Sequence, residues 1–311
     1  MSTFSNVLKN DQIYLTDGGL ETTLIFHHEI NLPHFSSFVL MSYSEGQNVL
    51  KSYYQGYLDL AKKNKKNFIL ETPTWRASSD WGDLIGYDAA ELHVVNTSAV
   101  TMLRELQSAY SDDVEEILIS GNIGPRSDGY QPTQLMTCSE AEKYHSAQVN
   151  SFAQAGVDML CAMTISYVDE AIGIVLAAQK HKLPVCVSFT VETDGSLVDG
   201  TSLQQAIEIV DQATENGPIY YMINCAHPDH FSKQLHGSEN WIKRIAGIRA
   251  NASRKSHAEL DDSETLDAGN PIELGQQYQQ LSELLPNLRV LGGCCGTDEN
   301  HINHICEHFH Q

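Results

Sequence analysis

Apolar residues fall along this chain in eight short runs, each closed by polar or glycine residues and each followed by helix-like spacing. The runs are Ile13 to Asp17 before Gly18-Gly19, Asn67 to Leu70 before Glu71-Thr72, Ile117 to Ser120 before Gly121-Asn122, and Val157 to Met163 before Thr164. They continue with Pro184 to Phe189 before Thr190, Ile219 to Ile223 before Asn224-Cys225, Ile245 to Ile248 before Arg249, and Leu288 to Leu291 before Gly292-Gly293. Between runs, Val94, Ala99, Met102, Leu103 and Leu106 recur near the helical period, as do Leu274, Tyr278, Leu281 and Leu285. Ser139 with Glu142, and Thr201 with Gln204, have the spacing of capping boxes that open helices. Strands that alternate with helices pair in parallel. Eight such units predict an α/β fold: one (β/α)8 barrel of the TIM type, a single domain over residues 1–311. The rival, a doubly wound open sheet, would be marked by a Gly-rich phosphate turn after the first strand, and none is present.

Composition narrows the partners. A chain of 311 residues with 41% apolar content suits one barrel without a second domain. A formal net charge of −21 argues against nucleic acid and anionic lipid as partners. No apolar run reaches membrane-spanning length. Met1 to Asn10 lacks the basic start and apolar stretch of a signal peptide. Seven cysteines, an odd number without small-domain spacing, favour a reducing cytoplasm. The expectation is a cytoplasmic protein that handles small molecules. The sequence does not set its oligomeric state.

Active sites of such barrels lie at the C-terminal ends of the strands, where this sequence collects its reactive residues. Cys294 and Cys295 sit in Gly292-Gly-Cys-Cys-Gly-Thr297, and Cys225 closes the sixth run. Three thiols at two strand ends suggest a soft-metal site with one open position, suited to activating a thiol substrate. A pair of buried small residues or a redox pair is the alternative. Cys161 and Cys186 fall inside runs and read as core residues. Cys138 precedes a helix and Cys306 lies in the last one. His227 is expected to shape the turn before Pro228 rather than to bind metal. His304 and His308 have helical spacing but read as an exposed helix end. The polar, acidic segment Asn251 to Asn270 is long for a loop and is expected to cover the barrel mouth or to contact another subunit.

Asp17-Gly-Gly-Leu20, Ser188-Phe-Thr with Asp194-Gly and Asp199-Gly-Thr-Ser202, Asn224-Cys-Ala-His-Pro228 and Gly292-Gly-Cys-Cys-Gly-Thr297 resemble, in order, the homocysteine S-methyltransferase family. The resemblance covers about Leu15 to Thr297. It implies a zinc-dependent barrel that methylates the thiol of homocysteine to form methionine, with Cys225, Cys294 and Cys295 as ligands to Zn2+. It also implies that Asp17 helps hold homocysteine and that Thr72 contacts it. The Gly18 and Gly19 amides are candidate donors to the substrate carboxylate. The methyl donors of the family include S-methylmethionine, S-adenosylmethionine and betaine, and larger relatives use methylfolate. The first two are favoured here. Trp75 offers a ring face to a cationic donor, although Arg76 beside it argues against that use.

The chain departs from the family pattern at one place. Where many members end strand four with Glu-Thr, reading the substrate amine, this chain has Met163-Thr164. Glu21 and, second, Glu71 are the candidate replacements. Two rival functions remain at this stage: a zinc hydrolase, which would need a base beside the metal, and a non-catalytic metal-binding or thiol-redox protein using Cys294-Cys295.

Overall fold

The computed structural model of the chain describes residues 12–235 and 239–309. Its eight strands are β1 (Tyr14–Leu15), β2 (Asn67–Glu71), β3 (Ile117–Ile123), β4 (Met159–Ile165), β5 (Val185–Phe189), β6 (Tyr221–Asn224), β7 (Ile245–Ala250) and β8 (Val290–Gly293). Each pairs in parallel with the next, and β8 returns to β1, with Tyr14 beside Val290, so the barrel is closed as predicted. The α-helices among the described residues are α1 (Leu20–Phe26), α2 (Ser44–Asn64), α3 (Ser79–Ile85), α4 (Ala89–Ala109), α5 (Cys138–Ala155) and α6 (Val168–Lys180). They continue with α7 (Leu203–Thr214), α8 (Pro228–Phe231), α9 (His257–Asp261), α10 (Pro271–Leu284) and α11 (Glu299–His308). No helix of the described residues is long and apolar enough to cross a membrane. The Met1 to Asn10 stretch and His310 lie outside the described residues.

Two apolar layers form. Tyr14, Ile69, Leu118, Met159, Cys161, Met163, Cys186, Tyr220, Met222 and Val290 pack together, and strand alternation makes them the barrel interior. The larger layer, including Leu70, Ile119, Phe152, Ile223 and Tyr278, lies between strands and helices. Cys161 and Cys186 are therefore core residues, as expected. The interior is apolar at the bottom and turns polar at the top, where Glu71, Ser120, Asn122, Thr164, Asn224 and Arg249 continue the strands.

Local details differ from the sequence reading. β1 shrinks to two residues, because Thr16 and Asp17 continue as an extended segment bonded to β8 outside a regular ladder. Val94 is 61% exposed rather than part of the packed stripe of α4. The stripe runs through Leu92, Val95, Ala99, Met102, Leu103 and Leu106. Both expected capping boxes shift by one or two residues. Thr137 pairs with Glu140 to open α5, and Ser202 with Gln205 to open α7. Leu274, Tyr278, Leu281 and Leu285 are buried together as expected.

Candidate active site

The three predicted thiols meet at the top of the barrel. The Sγ atoms of Cys225, Cys294 and Cys295 all lie within 4.8 Å of one another. Among the described residues they are the only cluster of three or more such side chains that fits around one metal ion. Two sulfurs about 2.3 Å from one zinc ion are at most about 4.6 Å apart, so the cluster comes close to the compactness that a shared metal needs. In the structure Cys225 and Cys294 are joined as a disulfide that does not include Cys295. Reduction returns two thiols to the donor set.

The backbone explains how three sulfurs converge. Cys225 has φ 52°, in the left-handed region, which costs a non-glycine residue about 1–2 kcal/mol. This turns its side chain off the course of β6. Gly296, at φ 79°, reverses the chain just after Cys295. Gly292 lies against Thr16, where a Cβ would collide with the threonine hydroxyl. β7 lies between β6 and β8, and Cys225 N and Cys294 N donate to its Arg249 and Ala250 carbonyls.

Asn224 organises the polar floor. Its Oδ1 accepts from Thr164 N at 3.0 Å and Ser188 Oγ at 2.6 Å. Its Nδ2 donates to Thr164 Oγ1 at 2.8 Å and lies 3.9 Å from Cys294 Sγ. Thr164, itself at φ 61°, places its hydroxyl 3.9 Å from Cys225 Sγ.

Beside the thiols opens a cavity of about 380 Å³. Five carboxylates line it (Asp17, Glu21, Glu71, Asp128 and Asp267) against two cations, Arg76 and Arg249. Asp17 is buried, 2.9 Å from Arg249 Nη1, and accepts from Tyr53 at 3.0 Å. Arg249 also holds the Gly293 and Gly18 carbonyls. Burial works against its charge, but Asp17 and Glu71 outweigh that and hold its pKa above the usual range. Of the three carboxylates without an ion pair among the described residues, Glu21 accepts from Ser37 and Asp267 from Ser253, which leaves Glu71. Its Oε2 is buried without a hydrogen-bond partner. Burial raises its pKa to about 7, against the opposing pull of Arg249.

The other predicted residues divide. Glu21 lines the cavity, and burial raises its pKa, but Ser37 Oγ already donates to its Oε1 at 2.7 Å. Thr72 lines the cavity too, yet its hydroxyl accepts from Asn122 N and is shared with Thr74. Gly19 N donates to Thr297 O at 3.0 Å, so it is not a free donor for a substrate carboxylate. Gly18 lines the cavity without such a bond. Met163 occupies the end of β4 on the cavity wall. Trp75 donates to the Met163 carbonyl, and the Arg76 guanidinium stacks on Trp81 at 3.8 Å and sits 4.8 Å from the Trp75 ring. The Trp75 face is thus already near a cation. His227 caps α8 by accepting from Asp229 N. Burial lowers its pKa to about 4, keeping it neutral at physiological pH. His308 Nδ1 binds the His304 carbonyl, and His304 pairs with Glu307.

Sequence reasoning missed Arg249, Tyr53, Asn224, Tyr130 and His257. Arg249 and Asn224 were findable, since each is a polar residue ending an apolar run, and strand alternation points it inward. Tyr53 and His257 come from helices and Tyr130 from a loop, and they carry no such signal. The segment expected to cover the mouth or to contact another subunit reaches the cavity. Leu260, Ser263, Thr265, Leu266 and Asp267 form one wall of the cavity. A capping box of Ser256 and Glu259 opens its short helix α9.

Residues 14–309 match the homocysteine S-methyltransferase family. The chain is 24% identical over 262 residues to betaine–homocysteine S-methyltransferase 1 of Bos taurus, covering 77% of this chain and 60% of that one. It is 23% identical over 259 residues to S-methylmethionine–homocysteine S-methyltransferase of Pongo abelii, covering 77% of this chain and 64% of that one. It therefore spans less than two thirds of the length of these curated relatives. The homocysteine methyltransferase MmuM from Escherichia coli, in its metallated form, has the same fold, with a TM-score of 0.74 at 19% identity over 97% of this chain and 98% of that one. The closed barrel, the three convergent thiols and the family match over nearly its whole length agree: this chain belongs to the homocysteine S-methyltransferase family.

Proposed function

We propose that this protein transfers a methyl group from a cationic donor to the thiol of homocysteine, forming methionine, with zinc held by Cys225, Cys294 and Cys295. The observation that carries the proposal is the meeting of three thiols on the wall of an acidic, substrate-sized cavity. A free thiol is only about 3% thiolate at neutral pH, a deficit of roughly 2 kcal/mol. When bound, zinc supplies the charge that deprotonates an acceptor thiol and holds it as a thiolate. The metallated state of the Escherichia coli relative supports the metal reading.

The residues of the chain do the rest. Asn224 and Thr164 hold the thiol loop in place. Glu71 receives the acceptor ammonium in the place that Met163 cannot fill, because a thioether makes no charge-assisted hydrogen bond. Glu21 is the weaker candidate, since Ser37 already occupies it. Asp17 stands beside Glu71, with its charge offset by Arg249, and the Gly18 amide remains for the acceptor carboxylate. As the new carbon–sulfur bond forms, the donor bond breaks and its electron pair leaves with the donor, which becomes neutral. An onium compound fits this step and the cavity's excess of carboxylates. S-methylmethionine and S-adenosylmethionine are favoured, with betaine in the same class. An anionic methylfolate is disfavoured.

Against a hydrolase stands the match to the homocysteine S-methyltransferase family over residues 14–309. The second reading is a thiol-redox protein, although the bonded pair is Cys225–Cys294 rather than the expected Cys294-Cys295. Both are tested by incubating reduced, zinc-loaded protein with homocysteine and each donor, and following methionine by mass spectrometry. Onium donors should give methionine and methylfolate none. Turnover with methylfolate alone would overturn the donor assignment, and no methionine from any donor would leave the redox reading.

A further inference from the structure

The segment that covers the cavity is fastened to the thiol cluster through one histidine. The Cys225 carbonyl accepts from Asn251 Nδ2 at 2.9 Å and from His257 Nε2 at 2.7 Å. A carbonyl oxygen only accepts, so Nε2 carries the hydrogen. Cys225 holds a left-handed conformation that a non-glycine residue does not keep unaided. Bonds that pin its peptide therefore pin the direction of its thiol.

The other contacts of His257 reach around the barrel mouth. Its ring lies flat on Tyr130, with centroids 3.8 Å apart and 12° between the planes. Tyr130 comes from the loop after β3, and its hydroxyl lies 4.0 Å from Cys295 Sγ. Glu192 Oε1, from the loop after β5, is 3.3 Å from His257 Nδ1. One buried side chain thus joins the loops that follow β3, β5, β6 and β7, and through them touches the surroundings of two of the three thiols. Nothing in the methyl transfer itself requires this ring.

We propose that His257 is a positioning residue that locks the Cys225 thiol to the segment covering the cavity, so that a seated cover and a correctly aimed thiol go together. The proposal rests on the metal reading where it speaks of ligand affinity. Partners one layer out from a metal ligand typically contribute about 10–100-fold in affinity.

The test uses the full-length, reduced protein and two substitutions. His257→Phe keeps the stack on Tyr130 and the volume but removes the donor. His257→Gln keeps an N–H at about the reach of Nε2. Zinc affinity is measured by competition with a chelator, and seating of the cover by tryptic cleavage at Arg254 and Lys255, well below the unfolding temperature. His257→Phe should bind zinc about 10–100-fold more weakly and be cut faster at those two positions. His257→Gln should recover most of both. The proposal is overturned if His257→Phe matches wild type in both readouts, or if His257→Gln is as impaired as His257→Phe. If wild-type protein takes up no zinc, the metal reading fails and the cleavage rates alone decide whether His257 holds the cover.

Discussion

At the scale of single residues, Glu71 is where burial and function meet. Its carboxyl titrates at about 7 in the folded protein, against 4.5 for the unperturbed group. Between these values the folded state keeps a proton that the unfolded chain has lost. Stability therefore falls as pH rises from about 4.5 to about 7, and stays reduced above that. Glu71→Gln should remove this loss. The variant should unfold like wild type at pH 4.5 and be more stable at pH 8, by on the order of 3 kcal/mol in urea titrations. The same group should read the acceptor. A charged hydrogen bond is worth about 1.5–3 kcal/mol, or roughly 10–150-fold in affinity. Wild-type preference for homocysteine over its des-amino analogue should grow as pH rises through 7, and Glu71→Gln should show a small, flat preference. A Glu71→Gln protein with wild-type preference at pH 8 would return the role to Glu21 or Asp17.

Elements explain what was legible in the sequence. Every strand was marked by an apolar run, because a parallel strand buried on both faces has no polar side to blur it. Strand ends were less clear. β3 continues through Gly121 and Asn122 to Ile123, since an inward polar residue at the barrel top still fits the ladder. Helix starts were misplaced where several hydroxyl and acidic residues compete. Thr137, Cys138, Ser139, Glu140 and Glu142 offer more than one capping register, and Thr137 with Glu140 wins because both reciprocal bonds form there. Thr137→Ala should therefore cost about 1 kcal/mol, whereas Ser139→Ala, inside the helix, should stay within about 0.5 kcal/mol of wild type, as measured by chemical unfolding. The reverse order would put the cap back at Ser139. The thiol triad was legible because its residues end strands whose order is fixed by the barrel. The cover's attachment was not, because a stacked histidine and tyrosine from distant loops leave no periodic trace.

For the whole molecule, the barrel acts as a frame that sorts its contents by height. Apolar side chains fill the bottom, the Asn224 network forms a polar floor, and three thiols and a carboxylate with one unpartnered oxygen line one cavity beside the segment after β7. The overall charge of −21 agrees in sign with that cavity, so the field of the protein as well as its site favours a cationic donor over an anionic one. The central claim joins chemistry to architecture: one zinc ion on three cysteines makes the acceptor thiol reactive. It is tested most directly by titrating zinc into reduced, metal-stripped protein while following methionine formation from homocysteine and S-methylmethionine. Activity should be absent without metal, rise linearly to a break at about one equivalent, and fail to appear in Cys225→Ser or in the Cys294→Ser, Cys295→Ser double variant. Full turnover by the metal-free protein, or by the double variant, would contradict the account.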